Sequence, residues 1–119
     1  MKVAVIGASN KEHRYSYKAL MLLKEYGHEV YPVHPKIKEI NGIKVYSSIK
    51  EIQDIIDSYT IYVSQKLSNV LADDLLDKKP NRIIFNPGAE NPQLQNKASK
   101  KGILVIEGCT LVMLKTGQF

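Results

Sequence analysis

Short apolar runs alternate with amphipathic helical patterns along this chain, and that alternation restricts the fold more than any other feature. Strands that alternate with helices form a parallel sheet joined by right-handed crossovers. The sequence therefore predicts an α/β fold in one domain over residues 1–119, a doubly wound, mainly parallel five-stranded sheet with helices on both faces. The predicted strands are Val3–Ile6, Glu29–Val33, Ser58–Val63, Arg82–Phe85 and Ile103–Ile106.

The segments between these strands carry helix signals. Ser48-x-x-Glu51 predicts a capping box that opens a short helix, and Asn91-Pro92 predicts the start of another. Residues 36–47 are predicted to be irregular around a turn, and residues 110–114 to form a short apolar tail. Two stripes have the i, i+3, i+4 spacing of a core-facing helix surface, namely Ala19, Leu22, Leu23 and Tyr26, and then Leu67, Val70, Leu71 and Leu75.

Composition restricts the class of partner. No apolar run approaches the roughly 18 residues needed to span a bilayer, and no signal peptide is visible. The single cysteine, Cys109, excludes an internal disulfide and favours a reducing compartment. We therefore expect a cytoplasmic protein without membrane contact. The net charge of +5 favours an anionic partner, but the dispersed basic residues and the absence of RNA-binding and zinc motifs predict neither nucleic acid nor metal.

Four loops follow the carboxyl ends of the first four predicted strands. They comprise residues 7–15, 34–36, 64–66 and 86–90. In a doubly wound sheet, ligands bind outside the carboxyl ends of the strands, at the switch in strand order. We therefore expect these loops to meet in one site.

The first loop has the features of a phosphate site. Gly7, Ala8 and Ser9 are small enough for a phosphate to approach the backbone, and Arg14 can pair with it. Ser9 takes the place of the second glycine of G-x-G-x-x-G and the third is missing, so the dinucleotide fingerprint is incomplete. The alternative is a tight turn at Gly7 with Arg14 on the surface.

The end of the second strand argues against NAD, because it offers no carboxylate for the ribose 2′-hydroxyl. Pro35 offers a flat contact for adenine and Lys36 a charge for a sugar phosphate, which permits NADP or another phosphorylated adenosine compound. An ordinary turn is the alternative. In the fourth loop, Pro87-Gly88 predicts a turn close to a ligand, and Glu90 can accept a ligand hydrogen bond or favour the next helix N-terminus.

One family combines such motifs in this order and spacing. The motifs are Gly7-Ala8-Ser9, Arg14-Tyr15-Ser16-Tyr17-Lys18-Ala19, Tyr31-Pro32-Val33-His34-Pro35-Lys36, Pro87-Gly88-Ala89-Glu90-Asn91 and Glu107-x-Cys109. Essentially the whole chain resembles the small CoA-binding proteins of bacteria and archaea. Their Rossmann-like fold is similar to the CoA-binding domain of the succinyl-CoA synthetase α subunit.

The resemblance implies a site for coenzyme A or an acyl-CoA at the carboxyl edge of the sheet. Two positions differ from the family pattern: His34 stands where asparagine is usual, and Ser64-Gln65 where Pro-Pro is common. The implied contacts are Gly7, Ala8, Ser9, Arg14, Tyr15 and Ser16 for the diphosphate, Val33, His34, Pro35 and Lys36 for the adenine and 3′-phosphoribose, Val63 and Ser64 for the adenine pocket, and Pro87, Gly88 and Glu90 for the pantetheine.

Candidates for catalysis are few. The resemblance implies that synthetases of this type work through a phosphorylated histidine on a second domain, and we expect no such domain within these 119 residues. His28 is expected at the opposite edge of the sheet, and His13 and His34 have no nucleophile or paired carboxylate beside them. We therefore predict a carrier, sensor or partner module, with a protein partner or a homodimer left open. The alternative is a small NADP-dependent reductase or an acyl-CoA-processing enzyme.

Cys109 follows the fifth predicted strand. A lone cysteine at such a position is typically a packing residue. The second hypothesis is that it lies near the ligand thiol and forms a mixed disulfide with CoA under oxidation.

Overall fold

The structure is a computed structural model that describes residues 1–119. In chain order its elements are β1 (Lys2–Ile6), α1 (Tyr15–Glu25), β2 (Glu29–Val33), β3 (Glu39–Ile40), β4 (Ile43–Lys44), a 3-10 turn (Ile49–Glu51), β5 (Ser58–Ile61), α2 (Gln65–Asp77), β6 (Arg82–Phe85), α3 (Pro92–Lys100), β7 (Leu104–Glu107) and α4 (Thr110–Lys115). The main sheet has the order β2-β1-β5-β6-β7, and every pairing in it is parallel. The predicted doubly wound α/β fold is confirmed.

The central strand β1 is buried on both faces. Val3 and Val5 belong to the core beneath α1 and α4, whereas Ala4 and Ile6 belong to the larger core beneath α2 and α3. All four side chains are at most 1% exposed. A strand buried on both faces has a continuous apolar sequence instead of an alternating one, which explains the run at residues 3–6. The helices therefore cover both faces of the sheet, as expected.

The predicted apolar stripes of α1 and α2 are wrong in part. Ala19, Leu23 and Leu75 are buried as expected, but Tyr26 lies 49% exposed. In α2, Leu67 and Val70 are 53% and 76% exposed. The small residues Ser68 and Ala72 face the core in their place, which brings the helix close to its neighbours. Residues on neighbouring rows of a helix have the same i, i+3, i+4 spacing. The spacing therefore could not determine which of the rows is buried.

The predicted capping box is also wrong. The Ser48 side chain makes no capping hydrogen bond, and the segment is a single 3-10 turn. The Glu51 carboxylate instead accepts a hydrogen bond from the Ser47 hydroxyl at 2.7 Å. The predicted start of α3 is confirmed, since Asn91 Oδ1 accepts from the Leu94 N–H at 3.1 Å and Pro92 is the first helical residue.

Four other predictions need correction. The segment predicted to be irregular contains the β3–β4 hairpin, whose turn residues Asn41 and Gly42 have φ of 49° and 81°. Both angles fit a type I′ turn, which matches the twist of short hairpins. Strand β5 ends at Ile61, and β7 begins one residue later than predicted. The apolar tail is the helix α4, and no helix of the protein has the length and apolar character needed to cross a bilayer.

A buried asparagine joins three elements at the carboxyl edge. Asn86, which is 1% exposed, donates from Nδ2 to Thr60 Oγ1 at 2.7 Å and to the Ile61 carbonyl at 2.9 Å. Its Oδ1 accepts from the Thr110 N–H at 2.9 Å. The side chain therefore fixes the end of β5, the end of β6 and the start of α4 relative to one another.

Replacing Asn86 with alanine is expected to lower the free energy of unfolding by about 3 kcal/mol, because several buried partners lose their hydrogen bonds at once. Urea denaturation followed by circular dichroism measures this loss. The control Asn96→Ala changes an exposed helical residue, and we expect it to leave stability within about 0.5 kcal/mol of the wild type. Equal effects of the two substitutions would contradict a structural role for Asn86.

Candidate functional site

A crevice of about 880 Å³ opens at the carboxyl edge of the sheet. From β1 the chain passes to β2 on one side, and it later returns to β5 on the other side of β1. The loops after β1 and β5 therefore diverge at this point, which is the usual ligand site of a doubly wound sheet. The crevice lies between these two loops and the loop after β2.

Most of the predicted site residues meet in this crevice. Lys36, Gly88 and Glu90 lie outside its lining and are exposed. The residues that do line it are Gly7, Ala8, Ser9, Arg14, Tyr15, Ser16, Val33, His34, Pro35, Val63, Ser64 and Pro87. The lining residues that sequence reasoning did not assign to the site are Ile6, Asn10, Lys11, Ile37, Ser47, Ser48, Ile49, Tyr62, Leu67, Val70 and Leu71.

The turn after β1 is shaped by close packing. Gly7 has a φ of +85°, and a Cβ built on it would lie 2.7 Å from Val63 Cγ1. The N–H groups of Gly7 and Ala8 both donate to the Val33 carbonyl, at 3.1 and 3.2 Å. These two donors therefore hold β1 to β2 and are not free for a ligand, in contrast to the simplest interpretation of the small residues.

The N-terminus of α1 supplies free donors. The N–H groups of Tyr15, Ser16 and Tyr17 have no acceptor within the protein. Arg14, at the N-cap, makes no side-chain capping bond, and the first turn contains no acidic residue. Unpaired N–H groups and the positive end of the helix dipole together attract an anion. Tyr15 and Ser16 both line the crevice, so the N-terminus of α1 attracts anions into the crevice.

The charged residues that line the crevice are positive, like the N-terminal end of the α1 dipole. None of the 23 lining residues is acidic, whereas Lys11 and Arg14 are cationic. The helix α2 also begins here, with Ser64 Oγ accepting from the Leu67 N–H at 3.4 Å and no acidic residue in the first turn. The crevice therefore favours an anionic ligand.

One side of the crevice is apolar. Leu67 and Val70 of α2 are largely exposed to it, and Val63 and Ile49 lie in the same lining. Exposed large apolar side chains grouped at a cleft are typical of a ligand surface. The helical spacing assigned Leu67 and Val70 to the core. The signal available in the sequence is the neighbouring row of small residues, Ser68 and Ala72, which the structure shows to be the buried row.

His34 is fixed at the end of β2. Its Nδ1 accepts from the Lys36 N–H at 3.0 Å and from the Ile37 N–H at 3.2 Å. The main-chain N–H of His34 donates to the Tyr46 carbonyl at 3.0 Å. The ring therefore holds the loop after β2 in the way that an asparagine side chain holds an Asx turn.

The fourth loop is held by its own contacts. Glu90 Oε1 accepts from the Gly88 N–H at 2.9 Å, and both residues are exposed. Only Pro87 of this loop reaches the crevice. Pantetheine contacts at Gly88 and Glu90 remain a prediction.

Tyr62, Cys109 and His28 also carry reactive side chains. Tyr62 lines the crevice, but its hydroxyl oxygen is buried away from it, and this burial raises the pKa of Tyr62 to about 12, so the hydroxyl stays protonated at neutral pH. Cys109 is half-buried at the N-cap of α4 and does not line the crevice. His28 lies at the amino edge beside the Met1 amino group, 3.1 Å from Nδ1, and burial lowers its pKa. Its predicted position opposite the site is confirmed.

Comparison with known proteins identifies one family and several relatives. A sequence model of the family described as "CoA binding domain" matches residues 1–115. The ADP-forming acetate–CoA ligase of Methanocaldococcus jannaschii is 43% identical over 61 residues, which are 51% of this chain and 9% of the ligase. The α subunit of ADP-forming acetate–CoA ligase II of Pyrococcus furiosus is 45% identical over 65 residues, which are 54% of this chain and 14% of the subunit.

Similarity to a solved structure extends over the whole chain. A crystal structure of an uncharacterised protein superposes with a TM-score of 0.90 at 36% identity, covering 99% of this chain and 97% of that one. In contrast, the matches to the two ligases cover 9% and 14% of their lengths.

Gly7→Ala is expected to lower the free energy of unfolding by more than about 2 kcal/mol, because the new Cβ meets Val63 and the positive φ is unfavourable. The matched control is Gly27→Ala, since Gly27 has a similar φ of +88° and no atom within 4 Å of the new Cβ. It should lose only the backbone contribution, about 1 kcal/mol. Urea denaturation compares the two variants, and equal losses would contradict the close contact between Gly7 and Val63.

Proposed function

The chain belongs to the CoA-binding domain family, and on that premise we propose that its crevice binds coenzyme A or an acyl-CoA. The observation that carries the proposal is that one crevice contains both the uncapped N-terminus of α1, with its unpaired N–H groups, and an apolar wall. Coenzyme A has groups that match both parts of the crevice, since its diphosphate and 3′-phosphate are anionic and its adenine ring is flat.

The diphosphate is assigned to the α1 side. There the free N–H groups of residues 15–17 and the cations Lys11 and Arg14 come together without an opposing carboxylate. An anion at this end satisfies donors that the protein leaves unpaired, and it interacts favourably with the helix dipole. We assign the backbone contacts to these donors and not to Gly7 and Ala8, whose N–H groups are already bonded to Val33.

Adenine is assigned to the side formed by the end of β2 and by α2. Pro35 and Val63 line this part of the crevice, and Leu67 and Val70 extend it as an apolar surface. Burying these exposed side chains against a planar ring removes apolar surface from water. The wall supplied by α2 takes over the role that the resemblance gives to Pro-Pro, which is Ser64-Gln65 here.

Binding without chemistry is the second part of the proposal. Several polar groups of the crevice are committed to holding its loops: His34 Nδ1 accepts two backbone N–H groups, Ser9 Oγ accepts from the Lys11 N–H, and Ser64 Oγ caps α2. These contacts favour a carrier, sensor or partner module. Because the two relatives described above are acetate–CoA ligases, we propose a CoA-using enzyme, or a second copy of this chain, as the protein partner.

Isothermal titration calorimetry of the purified protein tests the ligand. We expect CoA or acetyl-CoA to bind with micromolar affinity or better, and NADP and ATP to bind at least about tenfold more weakly. Tight binding of NADP would support the reductase alternative in place of this proposal. No heat from any CoA compound would contradict it.

The anion site is tested by placing a carboxylate at the exposed first residue of α1. Tyr15→Asp should weaken CoA binding about tenfold relative to Tyr15→Asn, because the two variants have the same shape and differ in charge. The aspartate should not lower the melting temperature of the free protein, since it complements the helix dipole. Calorimetry and thermal melting measure both effects, and equal affinities of the two variants would place the ligand's phosphates elsewhere.

A further inference from the structure

We infer that His34 is the positioning residue for Lys36, and that it thereby sets a preference for 3′-phosphorylated CoA over its dephosphorylated form. This inference rests on the proposed function, because it concerns how the same crevice recognises one group of CoA. It differs from a direct ligand contact by His34, since the effect is transmitted through the loop that carries Lys36.

The loop after β2 is held by His34 from both sides. The main-chain N–H of His34 donates to the Tyr46 carbonyl at 3.0 Å. Its Nδ1 then accepts the N–H groups of Lys36 and Ile37 at 3.0 and 3.2 Å. Pro35 has no N–H, so every backbone donor between positions 34 and 37 is satisfied either by the imidazole or by Tyr46.

These contacts also define the state of the ring. A nitrogen that accepts two N–H groups carries no proton, so the proton of the neutral imidazole lies on Nε2. No carboxylate of the protein forms an ion pair with the His34 ring. Nδ1 of the ring therefore acts as the acceptor that shapes the loop.

Lys36 is the residue whose position this arrangement determines. Its backbone N–H is fixed by His34, and the following Ile37 packs against the core beneath α1. The Lys36 side chain is exposed and forms no ion pair within the protein. An ammonium with no internal partner, anchored at the rim of an acid-free crevice, is suited to a terminal phosphate of the ligand.

Phosphate recognition by Lys36 requires the loop to hold its shape. A lysine side chain has large rotamer freedom, and a mobile backbone beneath it would add to the entropy lost on binding. The His34 acceptor lowers that cost because the backbone is already ordered. Loss of the acceptor is therefore expected to affect CoA more than dephospho-CoA.

Two substitutions separate the acceptor from the ring. His34→Phe keeps a planar ring and removes the acceptor, whereas His34→Asn removes the ring and supplies an oxygen acceptor of the kind found in Asx turns. The quantity to measure by calorimetry is the ratio of the dissociation constants of dephospho-CoA and CoA. Thermal melting checks that each variant is folded, and His34→Ala replaces the phenylalanine variant if that one is not.

The expected results follow from the charge-assisted contact of Lys36 with a phosphate. The wild-type ratio should be about tenfold or more, and Lys36→Met should bring it close to one. His34→Phe should lower the wild-type ratio by at least about threefold, and His34→Asn should keep it within about twofold. In a protein that already carries Lys36→Met, His34→Phe should change the ratio by less than about twofold. His34 affects the ratio only by positioning Lys36, so the effects of the two substitutions should not add.

An unchanged ratio in His34→Phe, with CoA still bound, would overturn this inference and leave the proposed function standing. So would a loss in His34→Asn as large as that in His34→Phe. Failure of the wild-type protein to bind CoA would instead contradict the proposed function itself.

Discussion

The burial of β1 on both faces is the constraint on which the rest of the structure depends. Its apolar side chains alternate between the two cores, so helices must cover both sides of the sheet. Parallel neighbours on each side then require crossovers, and the crossovers place the loops after β1, β2 and β5 at one edge. The crevice is a geometric consequence of this arrangement, and the residues of the loops decide what it can hold.

The polar groups at this edge divide into those that hold the loops and those that remain free. Gly7, Ala8 and His34 use their polar atoms on the protein itself, which fixes the turn after β1 and the loop after β2. The first N–H groups of α1 remain unpaired, and Lys36 has no internal partner. A rigid frame with a few free donors is the arrangement expected of a preorganised binding site.

Much of the architecture could be predicted from the sequence, because strands buried on both faces form continuous apolar runs. The meeting of the loops followed from the rule for parallel sheets and needed no side-chain detail. The burial of helix rows was harder to predict: Leu67 and Val70 have the spacing of core residues, yet they face the crevice because Ser68 and Ala72 allow closer packing. The roles of Asn86 and His34 depend on partners distant in sequence or on ring orientation, which no local pattern encodes.

The central claim is that the free N–H groups at the start of α1 receive the phosphates of a CoA-type ligand. Titrating ¹⁵N-labelled protein with CoA, followed by amide chemical shifts, tests this claim most directly. We expect the largest shifts at Tyr15, Ser16 and Tyr17, with smaller ones along the loop after β2 and negligible ones at Glu29 on the amino edge. Shifts centred on the amino edge, or none at α1 while CoA binds, would contradict it.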